Sequence, residues 1–266
     1  MLKKRLITAA ILVPLLLFSI LYAHPYVLLG LLLFVLGLAA YEWQYLIPLV
    51  TYYQQGLFWG LLVLSALLCY VWFSAWLSLG LLLWIAVILA VITYPASQRM
   101  WGSPWIVAFL GCVFLPLIGV SALGLYQQPH GAGLIIYVFA LVSVSDSGAY
   151  FVGKFVGKHA LIPKVSSGKT IEGAIGGLLL PLGVAFVGAW MWPPQNKIMW
   201  FGLALVTVVI SMFGDLAISM LKRRQHLKDT GSILPGHGGV LDRLDSLLAA
   251  LPWFCAGYFY LLPELS

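Results

Sequence analysis

Residues 211–246 read SMFGDLAISMLKRRQHLKDTGSILPGHGGVLDRLDS. The stretch begins inside an apolar run, crosses the basic cluster Lys222-Arg223-Arg224, and turns at Pro235-Gly236-His237-Gly238-Gly239. It ends on Asp242 and Asp245, three residues apart, where the next apolar run begins. The chain has 266 residues and only eight acidic ones, and four of those (Asp215, Asp229, Asp242 and Asp245) lie here. Carboxylates gathered between two apolar runs need a physical reason, and the rest of the chain supplies the setting.

Hydrophobic residues make up 62% of the sequence and charged residues 8%, with a mean hydropathy of +1.03. Soluble domains carry about 25% charged residues, and a soluble fold of this length could not hide so much apolar surface. The solvent is therefore largely lipid. The apolar runs are spread over residues 1–266, which predicts one polytopic membrane domain, all-α, with the chemistry concentrated in 143–246. Nine spans are expected, near 6–22, 27–41, 57–73, 77–94, 105–126, 134–152, 171–190, 198–220 and 247–262. Most are close to the roughly 20 residues that cross a hydrocarbon core. The first run, preceded by Lys3-Lys4-Arg5, has the outline of a signal peptide. It is long for one, and a second apolar run follows at once, so it is read as a span. Cys69, Cys112 and Cys255 sit singly in apolar runs without CxxC spacing and are expected to be buried thiols.

Lys and Arg together number 14. Such an excess can signal nucleic acid, but its placement points to topology instead. With a cytoplasmic N-terminus and alternating spans, thirteen of the fourteen fall in segments 1–5, 42–56, 95–104, 153–170 and 221–246, and only Lys197 lies outside. That is the positive-inside pattern. It predicts a multi-pass protein, of a bacterial inner membrane, with both large basic loops on one face and no nucleic-acid partner. At the start of span seven, Gly173 and Gly177 form a GxxxG spacing beside Gly176, a signal for close helix packing.

Four groups carry the candidate chemistry. Asp146 and Asp215 each lie about two turns inside a span, roughly 10 Å deep at 1.5 Å per residue, where an unpaired carboxylate is costly. Ser211, Asp215, Ser219 and Lys222 share one helical stripe; Ser143, Asp146, Ser147 and Tyr150 form another. Two such stripes predict a polar cavity open to the cytoplasmic face, with helix–helix hydrogen bonding as the plainer alternative. If span nine extends back one turn, Asp242 and Asp245 share a helix face and join Asp215 in an oxygen-only cluster suited to Mg2+. The segment Ser166-Ser167-Gly168-Lys169-Thr170-Ile171-Glu172-Gly173 resembles the end of a P-loop, but Pro163 stands where the first glycine belongs. Its Lys169, hydroxyls and helix-start N–H groups still suit phosphate; Glu172 there also complements the helix dipole. The Pro235–Gly239 glycines allow close backbone approach to a ligand, and His237 suits phosphate contact or proton transfer. His24, His130, His159 and His226 belong to no motif.

The spaced set Ser219, Lys222, Arg223, Lys228, Asp229, Gly231, Leu234 to Gly239, Asp242, Arg243 and Asp245 resembles the signature of the phosphatidate cytidylyltransferases, also called CDP-diacylglycerol synthases. The likeness covers 27 residues with fixed gaps, and SDSGAYFVGK (residues 145–154) and SSGKTIEG (residues 166–173) resemble further family motifs. One departure is local: the family often has Ser-Pro before Lys-Thr-x-Glu-Gly, where this chain has Ser166, Ser167 and Gly168. The resemblance implies conversion of CTP and phosphatidate to CDP-diacylglycerol and pyrophosphate, with Mg2+ required. It implies a metal role for Asp215, Asp242 and Asp245, with Lys222, Lys228, Asp229, His237 and Arg243 completing the catalytic set. Asp146, Ser166, Lys169, Thr170, Glu172, Ser219, Arg223, Gly238 and Gly239 are the expected substrate contacts. It leaves room for a second, monovalent cation and for a homodimer. The competing readings are a CTP-dependent polyprenol or phytol kinase of related membrane fold, and a transporter with an intramembrane acidic site.

Overall fold

The computed structural model describes residues 2–47, 49, 51–233 and 238–262, with the side chains of 2–9 and 167 excepted. Backbone N–H and C=O groups in lipid must be satisfied within the segment, which makes helices the outcome of long apolar runs. They run α1 (Leu2–Tyr22), α2 (Pro25–Leu46), α3 (Tyr52–Val71), α4 (Phe73–Ile92), the short α5 (Gln98–Trp101), α6 (Pro104–Tyr126), α7 (Gly131–Val156), α8 (Ile171–Leu179), α9 (Pro181–Met191), α10 (Lys197–Arg224) and α11 (Leu241–Leu261). Starts are written in the sequence. Proline opens α2, α6 and α9, Thr51 and Gln54 form a capping box on α3, and Asn196 caps α10.

Among the described residues, eight helical segments are long and apolar enough to cross a membrane, counting α8 and α9 as one. With α1 they correspond to the nine expected spans. The seventh is broken at Leu180, because Pro181 opens α9 and proline interrupts the helical hydrogen-bond ladder. The sequence also did not foreshadow a small antiparallel hairpin, β1 (Ala160–Ile162) and β2 (Ser166–Thr170), inside the loop expected at 153–170. Cys69, Cys112 and Cys255 are buried and free, as expected.

The packing sets what the site can be. The expected glycine contact forms: a Cβ on Gly148 would lie 2.9 Å from the Gly176 carbonyl oxygen, and one on Gly173 would lie 2.7 Å from that of Ala149. Small residues thus bring α7 and α8 into backbone contact. Gly177 faces the Met212 side chain of α10 as well. On α10, a Cβ at Gly214 would come 2.5 Å from the Asp245 carbonyl oxygen and 3.1 Å from the Ala249 Cβ. So α10 and α11 come into backbone contact one residue before Asp215. Three helices bearing Asp146, Asp215 and Asp245 are drawn together by glycines rather than by their charges.

The loops after α2, α4, α7 and α10 meet at one end of the bundle. Arg224 and Gln225 donate to the Leu46 carbonyl oxygen at 3.3 and 3.2 Å. Tyr94, Leu161, Lys164 and Phe213 share the wall of a mostly apolar cavity of about 670 Å³.

Candidate active site at one end of the bundle

Lys169 stands on β2 just before α8. Thr170 caps that helix, its Oγ1 accepting from the Gly173 N–H at 3.0 Å. The Glu172 carboxylate holds the hairpin's root, accepting from the backbone N–H groups of Lys158 at 3.1 Å and His159 at 3.2 Å, with the His159 ring 2.6 Å away. Glu172 was expected to contact substrate; the structure occupies both its oxygens with the hairpin. Held this way, Lys169 extends its Nζ to 2.6 Å from Asp215 Oδ2, while Ser219 Oγ donates to Asp215 Oδ1 at 3.3 Å.

Around that pair lie the other charges. Asp146 on α7 interacts electrostatically with Asp215, Lys169 and Arg243. Asp245 on α11 does so with Asp215, Lys222 and Asp146. Ser143, Asp146, Ser147 and Tyr150 are all exposed along one face of α7, as the stripe predicted. Ser211 departs from its stripe: it is buried and its Oγ donates to the Val208 carbonyl oxygen at 2.7 Å.

A second Lys–Asp pair has the same length and a different environment. Lys222 Nζ lies 2.6 Å from Asp242 Oδ1, and their side chains are only 11% and 6% exposed, against 30% and 29% for Lys169 and Asp215. Asp242 Oδ2 also accepts from the N–H groups of Thr230 at 2.9 Å and Gly239 at 3.0 Å. The numbers separate the roles. A solvent-open pair contributes about 0–1 kcal/mol and exchanges partners easily. Breaking a buried pair costs about 3–5 kcal/mol. Lys169–Asp215 is free to rearrange around a ligand; Lys222–Asp242 is a fastener.

Asp242 and Asp245 share the first turns of one helix, as foreseen; Asp242 is bonded to Lys222 and to the preceding loop, while Asp146 and Asp245 lie in the electrostatic field of Asp215. Among the described residues, no group of three or more His, Cys, Asp or Glu gathers at metal-ligand spacing. Lys222 is likewise paired rather than open to phosphate.

The other candidates divide in the same way. Gly238 has φ +81°, a left-handed conformation that favours glycine. Gly239 is buried against Glu42, not opened toward a ligand. Lys228 and Asp229 are exposed, and Arg223 is exposed with its guanidinium 3.4 Å from the Leu227 carbonyl oxygen. Arg243 is exposed within the field of Asp146. Ser166 is half-buried in β2. His237 lies outside the described residues.

Sequence reasoning missed Glu42. It is fully buried on α2, and its oxygens accept from the N–H groups of Val240 at 3.0 Å and Leu241 at 2.7 Å and from Thr230 Oγ1 at 3.1 Å. The signal was present: an acid inside an apolar run is a site candidate by default. The expected span ended at residue 41, which placed Glu42 in a loop; α2 runs on to Leu46.

Fold and site together define a polytopic membrane protein with a lysine–carboxylate centre, of a kind that handles phosphate groups, at one end of a helical bundle. The chain belongs to the cytidylyltransferase family, whose pattern matches residues 3–261. It is 37% identical to the phosphatidate cytidylyltransferase of Pseudomonas aeruginosa over 270 residues, 96% of each chain. It is 43% identical over 191 residues to that of Haemophilus influenzae, covering 67% of this chain and 66% of the relative. With the Bacillus subtilis enzyme the identity is 41% over 156 residues, 58% of this chain and 55% of the relative.

Proposed function

We propose that this chain is a phosphatidate cytidylyltransferase that uses CTP to convert phosphatidate to CDP-diacylglycerol, releasing pyrophosphate. Family membership supports the class of reaction. The observation that carries the site is the half-open Lys169–Asp215 pair, flanked by Asp146, Asp245 and Arg243. A phosphate oxygen of phosphatidate attacks the α-phosphorus of CTP, and the bond from that phosphorus to the β-phosphate oxygen breaks. An ionised phosphate is already a nucleophile and needs no general base, so the residues' work is to bind and align. Lys169 exchanges Asp215 for a phosphate oxygen; Arg243, in the field of Asp146, and the exposed Lys228 hold further phosphate charge. Ser219 keeps Asp215 oriented through the exchange.

Asp215, with Asp245 and Asp146 in its electrostatic field, offers oxygen donors of the kind a hard divalent cation takes together with phosphate oxygens. Asp215 and Asp245 would hold Mg2+ jointly with the substrate phosphates; when bound, it supplies neutralisation of charge on the nucleotide and the leaving pyrophosphate. The site end faces the cytoplasm, where thirteen of the fourteen basic residues then lie. Purified protein in detergent, given labelled CTP and phosphatidate, tests the reaction. A CMP-bearing lipid with released pyrophosphate is expected. A phosphorylated lipid product would instead make the chain a CTP-dependent lipid kinase.

A further inference from the structure

Glu42 lies 188 residues before Thr230 and 199 before Leu241, on a helix that contributes no other group to the lysine–carboxylate centre. Its two oxygens nonetheless take three hydrogen bonds from the segment that carries Asp242, Arg243 and Asp245. Two of those donors, the N–H groups of Val240 and Leu241, are unpaired donors at the start of α11, where a carboxylate is favoured by both hydrogen bonding and the helix dipole. The loop is shaped to receive it. A Cβ on either Gly231 or Gly239 would overlap the Glu42 carboxylate, so both positions are bare where this side chain enters. Asp242 closes the same loop from the other side, through Thr230, Gly239 and Lys222.

We infer that Glu42 is a positioning residue for cytidylyl transfer: by capping α11 it fixes the rotation and height of that helix, and so the place of Asp245 and Arg243 against Asp215 and Asp146. The inference rests on the reading of that cluster as the reacting centre. Among the described residues no hydrogen bond joins Glu42 to the cluster directly; it acts through Val240 and Leu241, whose peptide units begin the helix that carries Arg243 and Asp245. A carboxylate accepts from all three donors, whereas an amide cannot. In Glu42→Gln, one end of the side chain becomes a donor facing either the Val240 N–H or the Leu241 N–H and Thr230 hydroxyl. At least one bond is lost and a like pair of donors is brought together. The lost charge also removes the complement to the helix start.

The test uses the full-length protein in detergent. Hydrogen exchange of the 238–246 backbone, without substrate, is expected to quicken in Glu42→Gln while α6 and α10 keep their protection. Turnover per folded molecule is expected to fall about 10-fold to 100-fold. The KM values for CTP and lipid should stay within about twofold, since binding groups remain and alignment is lost. Thr230→Val, which removes one donor and leaves Glu42 ionised, should shift exchange and kcat in the same direction by less. In an Asp245→Asn background the kcat loss from Glu42→Gln should largely vanish, because both act at one point. Wild-type turnover reads the reaction itself; the ratio of variant to wild type reads Glu42. Quickened exchange with wild-type kcat would make Glu42 a purely structural tie and overturn the inference. So would a full, independent loss added to that of Asp245→Asn.

Discussion

Replacing Lys222 by methionine separates a fastener from a phosphate ligand. In the folded chain the ammonium is buried, 2.6 Å from Asp242 Oδ1, and methionine keeps most of the apolar stem. What is lost is the countercharge of a carboxylate whose side chain is 6% exposed. The Thr230 and Gly239 N–H groups still point at Asp242, but two neutral donors do not balance a buried anion. The expected destabilisation is about 3–5 kcal/mol. Removing both charges, in Lys222→Met with Asp242→Leu, relieves the anion and orphans those two N–H groups, at about 1–3 kcal/mol each. The double variant therefore stays well below wild type, yet the two losses do not add. By contrast Lys169→Met, which breaks an equally short but half-open pair, should change stability by less than about 1 kcal/mol while removing most turnover. Unfolding in mixed micelles, followed by the fluorescence of buried Trp43, Trp84 and Trp200, measures all of these. If Lys222→Met unfolds at the wild-type midpoint and raises only the KM for CTP, Lys222 is a phosphate ligand and the division by burial is wrong.

Three further outcomes follow from the same geometry. Lys169→Ala should raise the KM for CTP or phosphatidate and lower kcat in a steady-state assay, while Lys197→Ala, at the other end of α10, should be near neutral; equal effects would reduce loop 153–170 to a topology signal. Asp215→Asn and Asp245→Asn should each raise the Mg2+ concentration for half-maximal rate and cost about 100-fold in kcat. Exposed Asp229→Asn should cost far less, and a Mg2+ titration of all three decides it. Cysteines placed at exposed Lys158 and Lys228 should react with an impermeant maleimide only after permeabilisation, against three buried native thiols; reaction in intact cells would invert the topology.

The spans were legible because lipid imposes one rule on every residue in them, so long apolar runs between charged loops could be read without tertiary information. The glycine contact of α7 with α8 was legible for the same reason: small residues in an apolar helix have few other uses. The spacing of the candidate residues was legible and their pairing was not. Asp242 and Asp245 are three residues apart on one helix, and nothing in that spacing says that the first turns back to Thr230 and Gly239 while the second faces Asp215. That pairing depends on Lys222 of the neighbouring helix and on the N–H groups of Thr230 and Gly239, which no spacing announces. The β1–β2 hairpin escaped because its strands have three and five residues, too short for a period-2 pattern, and because the contacts that hold it, Glu172 with His159 and Val165 in the core, are tertiary.

The eight acids of the chain show why so few suffice. Glu264 lies outside the described residues; the other seven meet at one end of the bundle. Glu42, Glu172 and Asp242 have both oxygens occupied, chiefly by backbone N–H groups of the loops they hold. Each ties a loop to a helix fixed by lipid and packing. Asp146, Asp215 and Asp245 are placed instead by helix contacts at Gly148, Gly177 and Gly214; Asp215 has a partner on each oxygen, Lys169 and Ser219, but its side chain stays 29% exposed. A carboxylate that fastens a loop must be fully hydrogen-bonded, because an unmatched buried charge would cost more than the loop gains. One that handles phosphate must be able to exchange its partners, as the half-open Lys169–Asp215 pair can. Asp242, which the signature groups with Asp245, is tied to Lys222, Thr230 and Gly239, so its substitution should register in unfolding as well as in the rate.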